Sequence, residues 1–87
     1  MMNNMDQIIA IIRDEIDVMI DEDVEINENT NLAIDLGVDS LDMALIVGRL
    51  EEEFDIKIAN EDTIGIRTVK DIVAKVEELQ KKEGTVQ

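Results

Sequence analysis

The chain has 87 residues, enough for one small domain, and carries a net charge of −14 at pH 7. It contains no cysteine and no histidine, which excludes disulfides, thiolate metal sites, a cysteine nucleophile and the commonest general base. The acidic balance and the single aromatic residue, Phe54, argue against nucleic-acid binding, which needs clustered basic side chains and often aromatic stacking platforms.

The first predicted helix has one apolar face and covers about 14 residues, and Asn3 or Asn4 is available as its N-cap. The apolar residues that recur at three- and four-residue spacings are Ile8, Ile9, Ile12, Ile16, Met19 and Ile20.

A long connection, residues 21–38, follows this helix. Leu32, Ile34 and Leu36 alternate with small or polar residues, so we expect the second half of the connection to be ordered and to lie along the core. The first half of the connection has acidic residues at its first, third and fifth positions, as a calcium-binding loop does. The glycine and glutamate that such a loop requires are absent, so we expect no specific metal site.

The second predicted helix, about 40–54, has two apolar rows. One row is the expected core stripe: Met43, Ile46, Val47, Leu50 and Phe54. The other row is rotated away from it and framed by acidic residues: Leu41, Ala44, Leu45 and Gly48. A domain this small cannot easily cover both rows, so the second row is either a protein-contact surface or, in part, tucked under the preceding loop.

In the last part of the chain, the pattern of apolar residues predicts a short helical turn starting near Glu61 and a third main helix over about 69–80. Thr68 and Asp71 resemble a capping box at the start of that helix. The fold class is therefore predicted to be all-α. We expect a small bundle of three main helices plus one short helix, with a long loop between the first and second helices.

The charge is concentrated in residues 1–62, which hold 18 acidic and three basic side chains, whereas residues 63–87 hold four acidic and five basic ones. The negative electrostatic potential of residues 1–62 favours partners with positively charged surfaces. The chain has no apolar run long enough to span a membrane and no basic start typical of a signal peptide. We expect one domain over 1–87, with an ordered core over about 4–80 and a tail over 81–87, in a monomeric cytoplasmic protein.

Ser40 lies at the start of the second predicted helix, between two aspartates, and its role has more than one interpretation. A serine in this position is most often part of a helix cap, which Asp39 and Asp42 could complete. A nucleophilic role is disfavoured because the chain has no histidine to activate the hydroxyl. A helix start also favours an attached phosphate through its dipole and free N–H groups, although the two aspartates oppose that charge.

The segment from Asp35 to Ile58, DLGVDSLDMALIVGRLEEEFDIKI, resembles the signature of acyl carrier proteins, and the later IRTVKDIV matches the start of that family's last helix. The resemblance implies that Ser40 accepts a 4′-phosphopantetheine arm from coenzyme A through a phosphodiester. The thiol of the arm would then carry acyl groups as thioesters. The chain would itself catalyse nothing and would serve fatty acid, polyketide or related lipid biosynthesis.

The resemblance also implies partners: a phosphopantetheinyl transferase, and acyl-transfer, synthase or ligase enzymes with basic docking patches. The residues expected to meet them are Asp39, Leu41, Asp42, Ala44, Leu45, Gly48, Glu51 and Glu52. The helix phases lead to a further hypothesis, that an acyl chain could lie in a cavity inside the protein. The residues expected to line this cavity are Ile46, Leu50, Phe54, Ile58, Ile66 and Val69.

Two features depart from the family pattern. Leu45 stands where a glutamate is common, and Gly48 with Arg49 replaces a methionine–alanine or similar pair, which indicates a specialised carrier. A peptidyl or D-alanyl carrier is the nearest alternative, because it uses a serine at the same point. An acidic adaptor without a prosthetic group is the alternative from another class.

Overall fold

The computed structural model describes residues 3–16 and 23–84, with side chains up to residue 81, and its regular structure is helical. The helices are α1 (Asn4–Glu15), α2 (Leu32–Leu36), α3 (Ser40–Phe54), α4 (Asn60–Thr63) and α5 (Val69–Gly84). The all-α class and the three long helices are confirmed. α4 is the short helix expected near Glu61, and α2 is a second short helix that was not predicted.

The core lies between α1, α3 and α5, the three helices with an apolar stripe. Its least exposed large side chains are Ile8, Ile12, Ile16, Leu32, Ile46, Leu50, Val69, Ile72 and Val76. Met43, Val47 and Phe54 of the predicted α3 stripe are half-buried and pack against this core. Met19 and Ile20, assigned to the first helix, lie outside the described residues.

The second half of the long connection is ordered and lies against the core, as expected, but only two of its three alternating apolar residues are buried. Leu32 and Leu36 are buried, whereas Ile34 is 82% exposed. The segment folds as the helix α2, in which residues four apart share a face, so Ile34 points away from the face that holds the two leucines. The Asn31 side chain caps this helix by accepting a hydrogen bond from the Ile34 N–H at 2.8 Å.

The start of α5 joins the start of α2 through backbone hydrogen bonds. The Leu32 N–H donates to the Arg67 carbonyl at 2.9 Å, and the Val69 N–H donates to the Thr30 carbonyl at 3.1 Å. The Asp71 carboxylate accepts from the backbone N–H groups of Arg67 and Thr68, both at 3.0 Å, which is the Asp71 half of the predicted capping box. The other half is absent, because the buried Thr68 Oγ1 has no hydrogen-bond partner among the described residues. α5 continues past its predicted end at Gln80 to Gly84.

Within the described ranges, no helix combines the length and the apolar character needed to cross a membrane.

Candidate functional site

The start of α3 is capped by Asp39 and not by Ser40. The Asp42 N–H donates to Asp39 Oδ1 at 2.9 Å, and the Asp39 N–H donates to Asp42 Oδ2 at 3.2 Å, which forms a reciprocal capping box. The hydrogen bond from the Asp42 N–H lowers the pKa of Asp39 below its usual 3.8. Ser40 is therefore the first residue inside the helix, and the cap does not use its hydroxyl.

The turn between α2 and α3 presents Ser40 outward. Gly37 ends α2 in the left-handed region, with φ of 72°, where glycine has no steric penalty. Val38 is buried, and its N–H donates to the Leu32 carbonyl at 2.9 Å, so the turn is fixed to the body of the protein. Ser40 is exposed, and its hydroxyl makes no hydrogen bond to another described residue.

A groove of about 710 Å³ begins at Ser40 and runs along α3. One wall is α3, from Ser40 past Ala44 to Gly48, and the opposite wall is formed by Asn60 and Thr63 of α4 with the preceding loop. Glu51 fixes the two walls together, because its Oε2 accepts a hydrogen bond from the Ile58 N–H at 2.8 Å. The site is thus an exposed hydroxyl at the mouth of an open groove.

The second apolar row of α3 is exposed along its length. Leu41 is 70% exposed and Leu45 51%, and Ala44 and Gly48 are also exposed. Among the acidic residues around the row, Asp39 and Glu52 are exposed, whereas Asp42 and Glu51 are half-buried and each accept a backbone hydrogen bond. Leu41 is therefore not tucked under the preceding loop, and the row forms an apolar surface within an acidic frame.

Arg49 does not contribute a free positive charge to this surface. Its Nη1 donates to Asp14 Oδ2 at 2.8 Å and to Glu15 Oε1 at 2.9 Å, so Arg49 links α3 to the last turn of α1. Hydrogen bonding to these two carboxylates raises the pKa of the guanidinium above its usual value. The departure from the family pattern at Arg49 therefore serves packing between helices, which the sequence did not indicate.

The residues predicted to shelter an acyl chain do not surround one common cavity in the structure. Ile46, Leu50 and Val69 belong to the closed core, and Phe54 packs against it. Ile58 lines the groove beside Ser40. Ile66 lines a separate hollow of about 330 Å³. The role of this set toward an acyl chain stays a prediction.

Sequence reasoning missed Asn60 and Thr63, which form the far wall of the groove. The sequence predicted the helical turn near Glu61 that contains these residues, but not its position beside α3. That position depends on the path of the loop between the two helices. No group of three or more acidic, histidine or cysteine side chains that could hold a metal occurs in the part of the chain that the structure describes.

Comparisons with known proteins agree with this geometry. A family model described as "Phosphopantetheine attachment site" matches residues 6–76. An acyl carrier protein of Syntrophobacter fumaroxidans is 46% identical over 66 residues, which cover 76% of this chain and 78% of the relative. An acyl carrier protein of Chlamydia felis is 39% identical over 56 residues, which cover 64% of this chain and 72% of the relative.

Proposed function

The chain belongs to the acyl carrier protein family, and we propose that Ser40 is the residue to which its 4′-phosphopantetheine arm is attached. The function of the chain is that of an acyl carrier, and 4′-phosphopantetheine is its cofactor. We place it in fatty acid, polyketide or related lipid biosynthesis. The alternatives, a peptidyl or D-alanyl carrier and an adaptor without a prosthetic group, are not favoured by these relatives.

The observation that carries the assignment is the free hydroxyl of Ser40. Asp39 performs the capping task, so Ser40 has no structural hydrogen bond to give up when its oxygen is modified. Ser40 is also the only serine of the chain. The exposed hydroxyl and the open groove beside it leave room for an elongated substituent.

The residues of the chain hold and present the arm. When attached, the arm supplies a terminal thiol that holds acyl groups as thioesters, a chemistry that a chain without cysteine lacks. Ser40 anchors the arm at the start of α3, the buried Val38 keeps that start in place, and the groove offers a surface along α3. The chain also lacks histidine, the commonest general base, and all catalysis is left to the partner enzymes.

The partner surface is proposed to be the exposed row of α3 with its acidic frame. As a carrier, the protein interacts with synthase or transferase enzymes. Leu41 and Leu45 would enter an apolar depression on the partner, while Asp39 and Glu52 would meet a basic rim that steers the encounter. The phosphopantetheinyl transferase is the first such partner, because it must reach Ser40 beside this row.

Intact-mass measurement after incubation with coenzyme A and a phosphopantetheinyl transferase tests the attachment. We expect the protein to gain the mass of one phosphopantetheinyl group, located at Ser40 by peptide mapping. The Ser40→Ala variant, in which the exposed side chain loses only its hydroxyl, should remain unmodified. A chain that stays unmodified would overturn the proposal and leave the adaptor alternative, and modification at another residue would overturn the assignment to Ser40.

Alanine substitution of Leu41 tests the partner surface. Losing this exposed side chain should lower kcat/KM of the transferase by about tenfold, because a central apolar contact contributes on the order of 1–2 kcal/mol to an interface. The thermal unfolding midpoint should change little, since Leu41 is 70% exposed.

Ile64→Ala is the matched control for Leu41→Ala. Ile64 is 78% exposed, but it follows α4 and lies outside the exposed row of α3. We expect its loss to leave the loading kinetics unchanged. Equal effects of the two substitutions on kcat/KM would remove the support for the α3 surface.

A further inference from the structure

Arg49 is the one basic residue of α3, and it lies beside the exposed apolar row. The acidic residues of the same helix are Asp42 and 51–53. Arg49 follows Leu45 by four residues, so the two side chains are neighbours on the helix surface. Leu45 is 51% exposed and belongs to the proposed partner surface. An unpaired guanidinium at Arg49 would therefore add a positive charge at the edge of that surface.

Two carboxylates at the end of α1 neutralise this guanidinium. Arg49 Nη1 lies 2.8 Å from Asp14 Oδ2 and 2.9 Å from Glu15 Oε1. The Arg49 side chain is still 33% exposed, so a partner at this face is close enough to interact with its charge. The two negative charges exceed the single positive one, so the cluster of three side chains continues the acidic frame of α3 without interrupting it.

Stability is a weak reason for this arrangement. Ion pairs at a protein surface contribute little to the free energy of unfolding, because water and salt screen them and two long side chains lose freedom. A positive charge that faces the basic rim of a partner has a larger effect, since like charges slow association and disfavour the complex. The two carboxylates therefore matter more for the partners that can approach α3 than for the fold.

We propose that Asp14 and Glu15 determine partner specificity from α1: by neutralising Arg49, they allow enzymes with a basic rim to dock on α3. This inference rests on the proposed function, because it needs such enzymes as partners. Both carboxylates act through Arg49, and neither has to touch the partner. The helix α1, which contributes nothing to the exposed apolar row, thereby takes part in recognition.

The test removes the two carboxylates and keeps the guanidinium. The double variant Asp14→Asn with Glu15→Gln should lower kcat/KM of the phosphopantetheinyl transferase severalfold at about 0.02 M sodium chloride, because Arg49 then repels the basic rim. At about 0.5 M sodium chloride the decrease should largely disappear, since salt screens the repulsion. A purely structural defect would persist at both salt concentrations. Circular dichroism confirms that the variant is folded.

Two further variants separate neutralisation of Arg49 from other effects. Adding Arg49→Met to the double variant removes the unpaired charge and should return kcat/KM close to the wild-type value. Glu25→Gln with Glu28→Gln is the matched control, because it removes the same number of negative charges from the loop before α2. Both side chains are exposed and make no hydrogen bond or ion pair with another described residue. This control should change kcat/KM much less than the double variant does.

Different results would overturn the two proposals. A wild-type protein that is never loaded would remove the proposed function, and this inference with it. If the wild type is loaded, an unchanged kcat/KM of the folded double variant at low salt would overturn this inference alone. So would an equal decrease in the control. A triple variant as slow as the double variant would also overturn it, because the carboxylates would then contact the partner themselves.

Asp14→Asn alone provides the test if the double variant does not fold. The Asp14 side chain is 69% exposed, so its replacement should leave the fold intact. We expect a smaller decrease in kcat/KM at low salt, again abolished by salt, because one carboxylate still pairs with Arg49. No decrease in this variant would overturn the inference.

Discussion

At the scale of single residues, Gly37 and Gly48 differ in backbone conformation: Gly37 has a positive φ, which favours glycine, and the helical Gly48 does not. A Cβ atom at either position meets nothing within 4 Å, so an alanine substitution changes backbone energetics and little else. Gly37→Ala should lower the free energy of unfolding by about 1–2 kcal/mol, because its φ of 72° is unfavourable for a residue with a Cβ atom. Gly48→Ala should raise it by about 0.5–1 kcal/mol through helix propensity. Urea denaturation of both variants measures the two changes, and a destabilised Gly48→Ala would reveal a structural need for glycine at that position.

The residue scale is also where the sequence predicted most of the site. The spacing of apolar residues predicted both rows of α3, and the resemblance to acyl carrier proteins pointed to Ser40. The sequence could not show that Asp39 rather than Ser40 forms the cap, because an aspartate and a serine are both good N-cap residues. Nor could it pair Arg49 with Asp14 and Glu15, since that contact depends on how α1 and α3 cross.

At the scale of elements, α2 is the helix that the sequence analysis did not predict. Over five residues, a strand-like and a helical arrangement both place Leu32 and Leu36 on one face, and only Ile34 distinguishes them. The helical outcome depends on the Asn31 cap and the left-handed Gly37, and on the backbone bonds to the start of α5. Long helices have several repeats of the apolar pattern, so their prediction is more secure than that of a single turn.

Carboxylate caps at α3 and α5 predict loss of stability in acid. Hydrogen bonds from backbone N–H groups lower the pKa of both Asp39 and Asp71 below 3.8, chiefly from Asp42 for the first and from Thr68 for the second. Below 3.8 the unfolded chain therefore binds more protons than the folded one. The stabilisation is fully present above 3.8 and is lost as the pH falls through the lower pKa of the folded state.

Asp71→Asn tests this acid sensitivity, because the amide oxygen can still accept hydrogen bonds but does not titrate. The free energy of unfolding, measured by urea denaturation from neutral pH to below 3.8, should fall less steeply for this variant than for the wild type. Glu77→Gln is the control, since Glu77 is an exposed carboxylate of α5 that makes no hydrogen bond to another described residue. An identical pH dependence of Asp71→Asn and the wild type would contradict the assignment.

At the scale of the whole molecule, the excess of carboxylates sets how stability responds to salt. The chain has 22 acidic and eight basic side chains, and within the described residues Arg49 and Lys75 already lie in ion pairs. The protein extends over 44 × 30 × 20 Å, which is comparable to the screening length of about 30 Å at 0.01 M salt and several times the roughly 8 Å at 0.15 M. At low salt, carboxylates therefore repel one another across much of the protein, and at moderate salt only close neighbours do.

The thermal unfolding midpoint should therefore rise between 0.01 M and 0.15 M sodium chloride, because screening the repulsion outweighs the weakening of a few ion pairs. Circular dichroism melting at constant pH measures the rise. Replacing the exposed Glu52 and Glu53 by glutamine removes two negative charges from α3 and should make the rise smaller. A midpoint that does not change with salt in the wild type would mean that long-range repulsion is not what limits the stability of this fold. The acidic surface of α3 would then serve recognition at no cost in stability.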